Sequence, residues 1–229
     1  MTEAVPLNDS ETSISIVIPT YNEVNAIRSV VSELLETDSP EITEIIVVDD
    51  GSTDDTAKVI SDLNVKLIRH PSNRGYGAAL KSGIQAASGK FILTMDADGQ
   101  HRIEDVKMLC SEVGSDPEAE CIIGARTKLF HSPIWRMPGK WLMRWLAEFI
   151  TQRNIPDLNS GLRVFRKNIA ERYASICPQG FSFSTTITMA MLSRGYRVEF
   201  KPIEVNRRTG TSTVTAATGF QALLLMIRI

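Results

Sequence analysis

Cysteine is scarce in this chain of 229 residues: Cys110, Cys121 and Cys177 are odd in number and widely spaced. That spacing encodes neither a disulfide framework nor a CxxC zinc site. The histidines, His70, His101 and His131, are equally scattered, and aromatic residues make up only 7% of the chain. No apolar run approaches the ~20 residues needed to cross a bilayer. The opening Met1-Thr-Glu-Ala4 lacks the basic and apolar regions of a signal peptide. Helix-turn-helix, zinc-finger and RNP-like patterns are also missing, which argues against a nucleic-acid partner. A large net charge is absent too: 25 Lys/Arg face 27 Asp/Glu, and 43% of residues are hydrophobic, which excludes a disordered chain. The expectation is a soluble-type domain facing a reducing compartment, long enough for one sizeable core.

The small net charge conceals a sorting by sign. Residues 1–120 hold 9 Lys/Arg against 22 Asp/Glu, and residues 121–229 hold 16 against 5. An acidic half can hold a metal; a basic half can receive phosphates or an anionic membrane surface.

The acidic half alternates short β-branched runs with helical segments. Strands are expected at Ile14–Ile18, Ile45–Val48, Val65–Ile68 and Phe91–Met95. Helices are expected near Asn25–Glu36, Thr53–Leu63, Gly75–Ala87 and Ile103–Val113. Continuous apolar strands separated by helices indicate a parallel sheet covered on both faces. Right-handed crossovers then bring every strand's C-terminal end to one edge, where open α/β sheets bind ligands. Each of the four strands is followed by a polar or acidic loop: Pro19-Thr-Tyr-Asn-Glu23, Asp49-Asp-Gly-Ser-Thr-Asp54, His70-Pro-Ser-Asn-Arg-Gly75 and Asp96-Ala-Asp-Gly-Gln-His101.

The basic half is less regular, with strands expected at Cys121–Gly124, Leu162–Phe165 and Val198–Ile203 and a helix at Thr185–Ser193. Asp157-Leu-Asn-Ser-Gly161 reads as a turn. Lys140–Thr151 is amphipathic, and Trp135, Trp141 and Trp145 fall beside Arg136, Lys140 and Arg144. Such a helix packs on its own core or meets lipid at an interface. Gly219–Ile229 ends in an apolar pattern with no breaking residue.

In Asp96-Ala-Asp98 the carboxylates stand at i and i+2, and in an extended segment they point the same way. Both can address one hard cation, Mg²⁺ or Mn²⁺, and Gln100 shares their parity. Such a cation would neutralise a diphosphate. Asp50 and Glu23 can accept hydrogen bonds from ribose or a base edge, or Asp50, Ser52 and Thr53 can cap the helix that follows. Three look-alikes fail on context. The Gly83–Lys90 stretch leads into a strand, unlike a P-loop. Gly75-Tyr-Gly77-Ala-Ala-Leu80 lacks the third glycine of a dinucleotide fingerprint. The Asp96 and Asp49 clusters stand in the reverse of the haloacid-dehalogenase phosphatase order.

Four segments together, Ile16-Val-Ile-Pro-Thr-Tyr-Asn-Glu23, Val47-Val-Asp-Asp-Gly-Ser-Thr-Asp54, Asn73-Arg-Gly-Tyr-Gly77 and Met95-Asp-Ala-Asp-Gly-Gln100, resemble the successive signatures of family-2 glycosyltransferases with the GT-A fold. The polyprenyl-phosphate (dolichol-phosphate mannosyltransferase-like) subgroup is the most similar. Gly124-Ala-Arg126, Asp157-Leu-Asn-Ser-Gly-Leu-Arg163 and Arg207-x-x-Gly210-x-Ser212 extend the match. The resemblance implies a Rossmann-like, mostly parallel central sheet flanked by helices on both faces, with an irregular acceptor-side C-terminal part. It implies a tail at 1–12, a catalytic domain at 13–212 (nucleotide-sugar half 13–120, acceptor half 121–212) and an apolar C-terminal helix or membrane-associated start at 213–229. Pro19, Tyr21, Glu23 and Asp50 would hold the nucleoside of a UDP- or GDP-sugar. Asp96, Asp98 and Gln100 would coordinate Mg²⁺ or Mn²⁺, with Ala97 beside the ribose or diphosphate. Arg126 and Arg207 would face phosphates, although Thr213 stands where the subgroup usually places Lys.

Hydroxyl-glycosylating relatives often carry an acid in the segment corresponding to Gly180–Leu192, whereas Gln179 through Val198 contains no Asp or Glu. A hydroxyl acceptor needs its proton removed, an effect of about 10²–10⁴ in rate. A phosphate monoester is already charged near neutral pH, with a second pKa of about 6. The sequence therefore points to a metal-dependent, inverting transfer of a sugar onto a polyprenyl phosphate at the cytoplasmic face of a membrane, with peripheral membrane contact. Asp98, Arg126 and Asp157 would be its catalytic residues. Two alternatives stay open: a soluble transferase acting on a saccharide or protein hydroxyl with Asp157 as base, and a non-catalytic nucleotide-sugar-binding protein.

Overall fold

Strand β1, Ile14–Thr20, is buried at all seven positions, so both of its faces must pack. Ile14, Ile16 and Ile18 join one apolar cluster and Val17 the other, the alternation a strand imposes. In this computed structural model, which describes residues 12–116, 118–127, 145, 147–149 and 151–206, β1 lies between β2 (Ile42–Asp49) and β4 (Phe91–Thr94), parallel to both. Strand β3 (Lys66–Arg69) pairs in parallel outside β2.

Helices α1 (Ile27–Leu35) and α3 (Ile103–Ser115) pack on the Ile14/Ile16 face through Ile27, Val31, Val106 and Leu109. Helix α2 (Tyr76–Ala86) covers the Val17 face, together with α4 (Lys167–Ala174) and α5 (Phe183–Ser193). Both faces are thus covered, as expected for strands without polar alternation. Strands β5 (Cys121–Arg126), β6 (Arg163–Arg166) and β7 (Val198–Ile203) complete a seven-stranded sheet of order β3-β2-β1-β4-β6-β5-β7.

The sheet is mostly parallel, as expected, with β6 running antiparallel to both β4 and β5. One expectation is corrected. The helix expected over Thr53–Leu63 shrinks to one 3₁₀ turn, Lys58–Ile60. Its first residues spend their polar groups elsewhere: Asp54 Oδ1 accepts from Thr56 N at 3.0 Å, Thr53 N donates to Asn22 Oδ1 at 2.8 Å, and Thr56 Oγ1 accepts from Glu23 N at 2.9 Å. Such side-chain bonds compete with helix formation. Helix α4 was not foreseen, because only Ile169, Ala170 and Ala174 of its eight residues are buried apolar groups.

All three cysteines are free and buried, and burial pushes each thiol up to about 12. Among the described residues no helix is long and apolar enough to cross a membrane. Most of Lys140–Thr151, with Trp135 and Trp141, and all of 207–229 lie outside the described residues. Within the first stretch, Ala147 is buried against Ile155, Leu158, Met189 and Leu192. Trp145 and Phe149 stack on each other at 5.7 Å and are 51% and 63% exposed.

Candidate active site

The parallel run β3-β2-β1-β4 brings the C-terminal ends of those strands to one edge, and the reversal of strand order falls beside β1. That is where open α/β sheets form a ligand crevice. Pro19 is buried at the end of β1, and Tyr21 and Glu23 are half-buried in the loop that follows. This loop is stitched to the one after β2, since Asn22 N donates to Ser52 Oγ at 2.9 Å and Glu23 N to Thr56 Oγ1. Asn22 occupies the left-handed region at φ 55°, which Asn tolerates better than most residues.

Asp50 is buried and heavily engaged. Its Oδ1 meets His70 Nδ1 at 2.6 Å and accepts from Arg74 N at 3.0 Å, while Oδ2 accepts from Gly75 N at 2.7 Å. The far side of the His70 ring meets Ser82 Oγ at 2.9 Å. Asp50 is therefore no helix cap. It ties the loop after β3 to the end of β2, using three of a carboxylate's roughly four acceptor positions.

Asp96 and Asp98 follow β4. Asp96 is partly exposed, with its side chain 35% accessible, and Oδ1 accepts from the Tyr76 hydroxyl at 3.0 Å. His101 Nε2 stands 3.5 Å from Oδ2, and neither nitrogen of that buried ring has a hydrogen-bond partner among the described residues. Burial pushes the Asp96 carboxyl up, but His101, Tyr76 and the Arg126 charge outweigh it and leave it below the usual range. Burial and the Asp96 charge push the Tyr76 phenol well up, so it remains a donor. Asp98 is buried, and its Oδ1 accepts from Gln100 N at 3.1 Å, folding the loop back on itself. Ala97 between them is buried. The loop is also joined to the strand end beyond β7, since His101 bridges Val205 and Asn206 N donates to Gln100 O at 2.9 Å.

Two glycines make this packing possible. A Cβ on Gly161 would stand 2.4 Å from Asp96 Oδ2, and one on Gly75 would stand 2.6 Å from the Gln179 carbonyl. Gly75 also needs φ +102°, a region closed to most side chains. The carbonyl of Gly161 accepts from Thr94 Oγ1 at 2.8 Å, which fixes the entry to β6 against the end of β4.

Arg126 ends β5 and is held by Asp157. Nε donates to Oδ2 at 2.6 Å, Nη2 to Oδ1 at 2.9 Å, and the Arg126 backbone N to Oδ2 at 3.3 Å, while Asn159 N adds a bond to Oδ1 at 3.1 Å. Burial raises the Asp157 carboxyl, but Arg126 more than offsets this and holds it below the usual range. Burial alone would lower the Arg126 guanidinium; Asp157, with the fields of Asp96 and Asp98, raises it instead. One arginine thus lies within electrostatic reach of all three carboxylates.

Beneath them Arg163 is 1% exposed and satisfied by neutral oxygens: the Ser160 and Ser184 carbonyls and Thr188 Oγ1. Arg207, expected to face phosphate, lies outside the described residues.

The donor chemistry of Asp96, Asp98 and Gln100, all oxygen, fits a hard divalent cation. Among the described residues no three His, Cys, Asp or Glu side chains form a metal cluster by themselves. A cation here would therefore draw its remaining oxygens from ligand and water, which is how Mg²⁺ is usually bound. Sequence reasoning missed Tyr76, His101 and Gly161, although each stands inside or beside a quoted motif. The available signal was their membership of the segments 73–77, 96–101 and 157–163; their meeting at Asp96 is a property of the fold.

The chain is similar to several known proteins. A human dolichyl-phosphate beta-glucosyltransferase is 30% identical over 224 residues, covering 86% of this chain and 68% of its own. A UDP-N-acetylglucosamine–dolichyl-phosphate N-acetylglucosaminyltransferase of Methanococcus voltae is 29% identical over 179 residues, 68% of this chain and 70% of its own. The polyprenol monophosphomannose synthase of Mycolicibacterium smegmatis is 26% identical, covering 84% and 77%. In fold, the chain superposes with a TM-score of 0.78 on glucosyl-3-phosphoglycerate synthase of Mycobacterium tuberculosis, solved with Mn²⁺, uridine diphosphate and phosphoglyceric acid. That match is 18% identical and covers 95% of this chain and 78% of the other. The profile of Glycosyl transferase family 2 matches residues 15–174; with the GT-A sheet and its acidic rim, the chain belongs to that family and is a glycosyltransferase.

Proposed function

We propose that the chain transfers a sugar, with inversion, from a UDP- or GDP-sugar to the phosphate of a polyprenyl phosphate. The observation that carries this reading is the saturation of Asp157. Both oxygens are filled by Arg126 and Asn159, so about four acceptor positions are used and none is left to take a proton from a hydroxyl acceptor. With no Asp or Glu between Gln179 and Val198, an acceptor that arrives already ionised suits the site.

The residues divide the work as follows. Pro19, Tyr21, Glu23 and the Asp50-anchored loop form the nucleoside side. Asp96, Asp98 and Gln100 would hold Mg²⁺ or Mn²⁺, which when bound supplies Lewis-acid stabilisation of the departing diphosphate. Arg126, oriented by Asp157, offers its charge to phosphate oxygen, and Arg207 is proposed as a second such cation. The acceptor oxygen forms its bond to the anomeric carbon as the bond to the nucleoside diphosphate breaks, with no proton to move. Exposed Trp145 and Phe149, one helical turn apart, support peripheral contact with a membrane, proposed to be its cytoplasmic face.

The test is product formation from UDP- and GDP-sugars with polyprenyl phosphate, with a free saccharide and with no acceptor. Lipid-linked sugar in the first arm is the expected result. Transfer to the saccharide alone, or nucleotide binding without turnover, would overturn the reading.

A further inference from the structure

The χ2 torsion of an aspartate is broad, so nothing intrinsic fixes how the Asp96 carboxylate is rotated. Its neighbours do. The Tyr76 hydroxyl takes Oδ1 at 3.0 Å, the Gly161 backbone closes on Oδ2, and His101 Nε2 stands 3.5 Å from that same oxygen.

The Tyr76 ring is itself anchored. It opens α2 directly after Gly75, and it stacks on Phe181 with centroids 5.4 Å apart and planes 17° from parallel. Ala78 N donates to Gln179 O at 3.0 Å, pinning the start of α2 to the loop before α5. The hydroxyl therefore sits at the end of an arm clamped by the acceptor half of the chain.

We propose that Tyr76 is a positioning residue for the metal ligand Asp96: its hydroxyl occupies one carboxylate oxygen and so fixes the orientation in which Asp96 meets the cation. This rests on the metal role in the transfer reading above. Hydrogen-bonding partners of metal ligands typically account for 10–100-fold in affinity. The stack on Phe181 links that orientation to the loop preceding α5, in the acceptor half of the chain.

Mn²⁺ binding, followed by electron paramagnetic resonance, tests this. Wild type, Tyr76→Phe, Phe181→Leu and Asp98→Ala are titrated with Mn²⁺ in the presence of UDP or GDP, whichever raises the wild-type melting temperature. Tyr76→Phe keeps the ring and its stack, so it is expected to melt like wild type but bind Mn²⁺ about 10-fold more weakly. Phe181→Leu, which keeps the hydroxyl but frees the ring, is expected to shift affinity in the same direction by less. Wild-type affinity in both variants, alongside its loss in Asp98→Ala, overturns this proposal and leaves the transfer reading standing. Undiminished binding in Asp98→Ala, or no Mn²⁺-dependent binding in wild type, overturns the metal role and this proposal with it.

Discussion

Arg126 and Asp157 meet side-on, Nε to Oδ2 at 2.6 Å and Nη2 to Oδ1 at 2.9 Å, with the Arg126 backbone N closing on the same carboxylate. The pair joins the end of β5 to the turn before β6. Asp157→Asn removes the negative partner and one bidentate contact. It is expected to raise the KM for the acceptor about 10- to 100-fold, the range spanned by the 1.5–3 kcal/mol of a charged hydrogen bond, while the pH profile of kcat keeps its shape. Steady-state kinetics across pH check both; a collapse of kcat with loss of the acidic limb would instead identify Asp157 as the base.

The same pair sets an acid limit on stability. The folded Asp157 carboxyl lies below the usual range, so its contribution is fully present above the unfolded value of about 3.9. It is lost as pH falls through the lower, folded value. Thermal melts of wild type and Asp157→Asn should therefore differ most near neutral pH, stay parallel down to the ordinary carboxylate range, and converge below it.

Gly161→Ala places a methyl 2.4 Å from an Asp96 oxygen. Something must shift, and overpacking of this kind costs about 1–3 kcal/mol. Denaturant melts should show that loss. Metal-dependent nucleotide binding should fall further than the melt alone accounts for, because the displaced atom is a proposed ligand.

Asp98→Ala is expected to abolish transfer and metal-dependent nucleotide binding while the circular-dichroism spectrum stays that of wild type. Unchanged turnover would remove the metal role.

Cys110, Cys121 and Cys177 are buried, with thiols pushed up to about 12. Since the thiolate is the reactive form, a thiol reagent should label none of them in the native protein and all three after unfolding.

The four N-terminal strands and their loops were legible because continuous apolar runs and polar strand ends are local signals. Strand direction is not local: nothing in Arg163-Val-Phe-Arg166 announces that it runs against β4. The missing helix after β2 shows the same limit. Ser52, Thr53, Asp54 and Thr56 look like cap residues until their partners at Asn22, Glu23 and Val24 are known. Asp50, Asp96 and Asp98 were found as acids, but that Asp50 is occupied by His70 and the backbone of Arg74 and Gly75 depends on contacts twenty or more positions away.

The reversed direction of β6 has a topological result. A strand parallel to its neighbours would deliver its exit to the acidic rim; β6 delivers its entrance instead. The stretch between β5 and β6 consequently departs from the rim at Arg126 and lands on it again at Gly161, with the Arg126–Asp157 pair tying its two ends. Insertions or deletions between those anchor points would leave the register of the sheet untouched, so evolution is free to lengthen or rewrite that segment at no cost to the strands on either side.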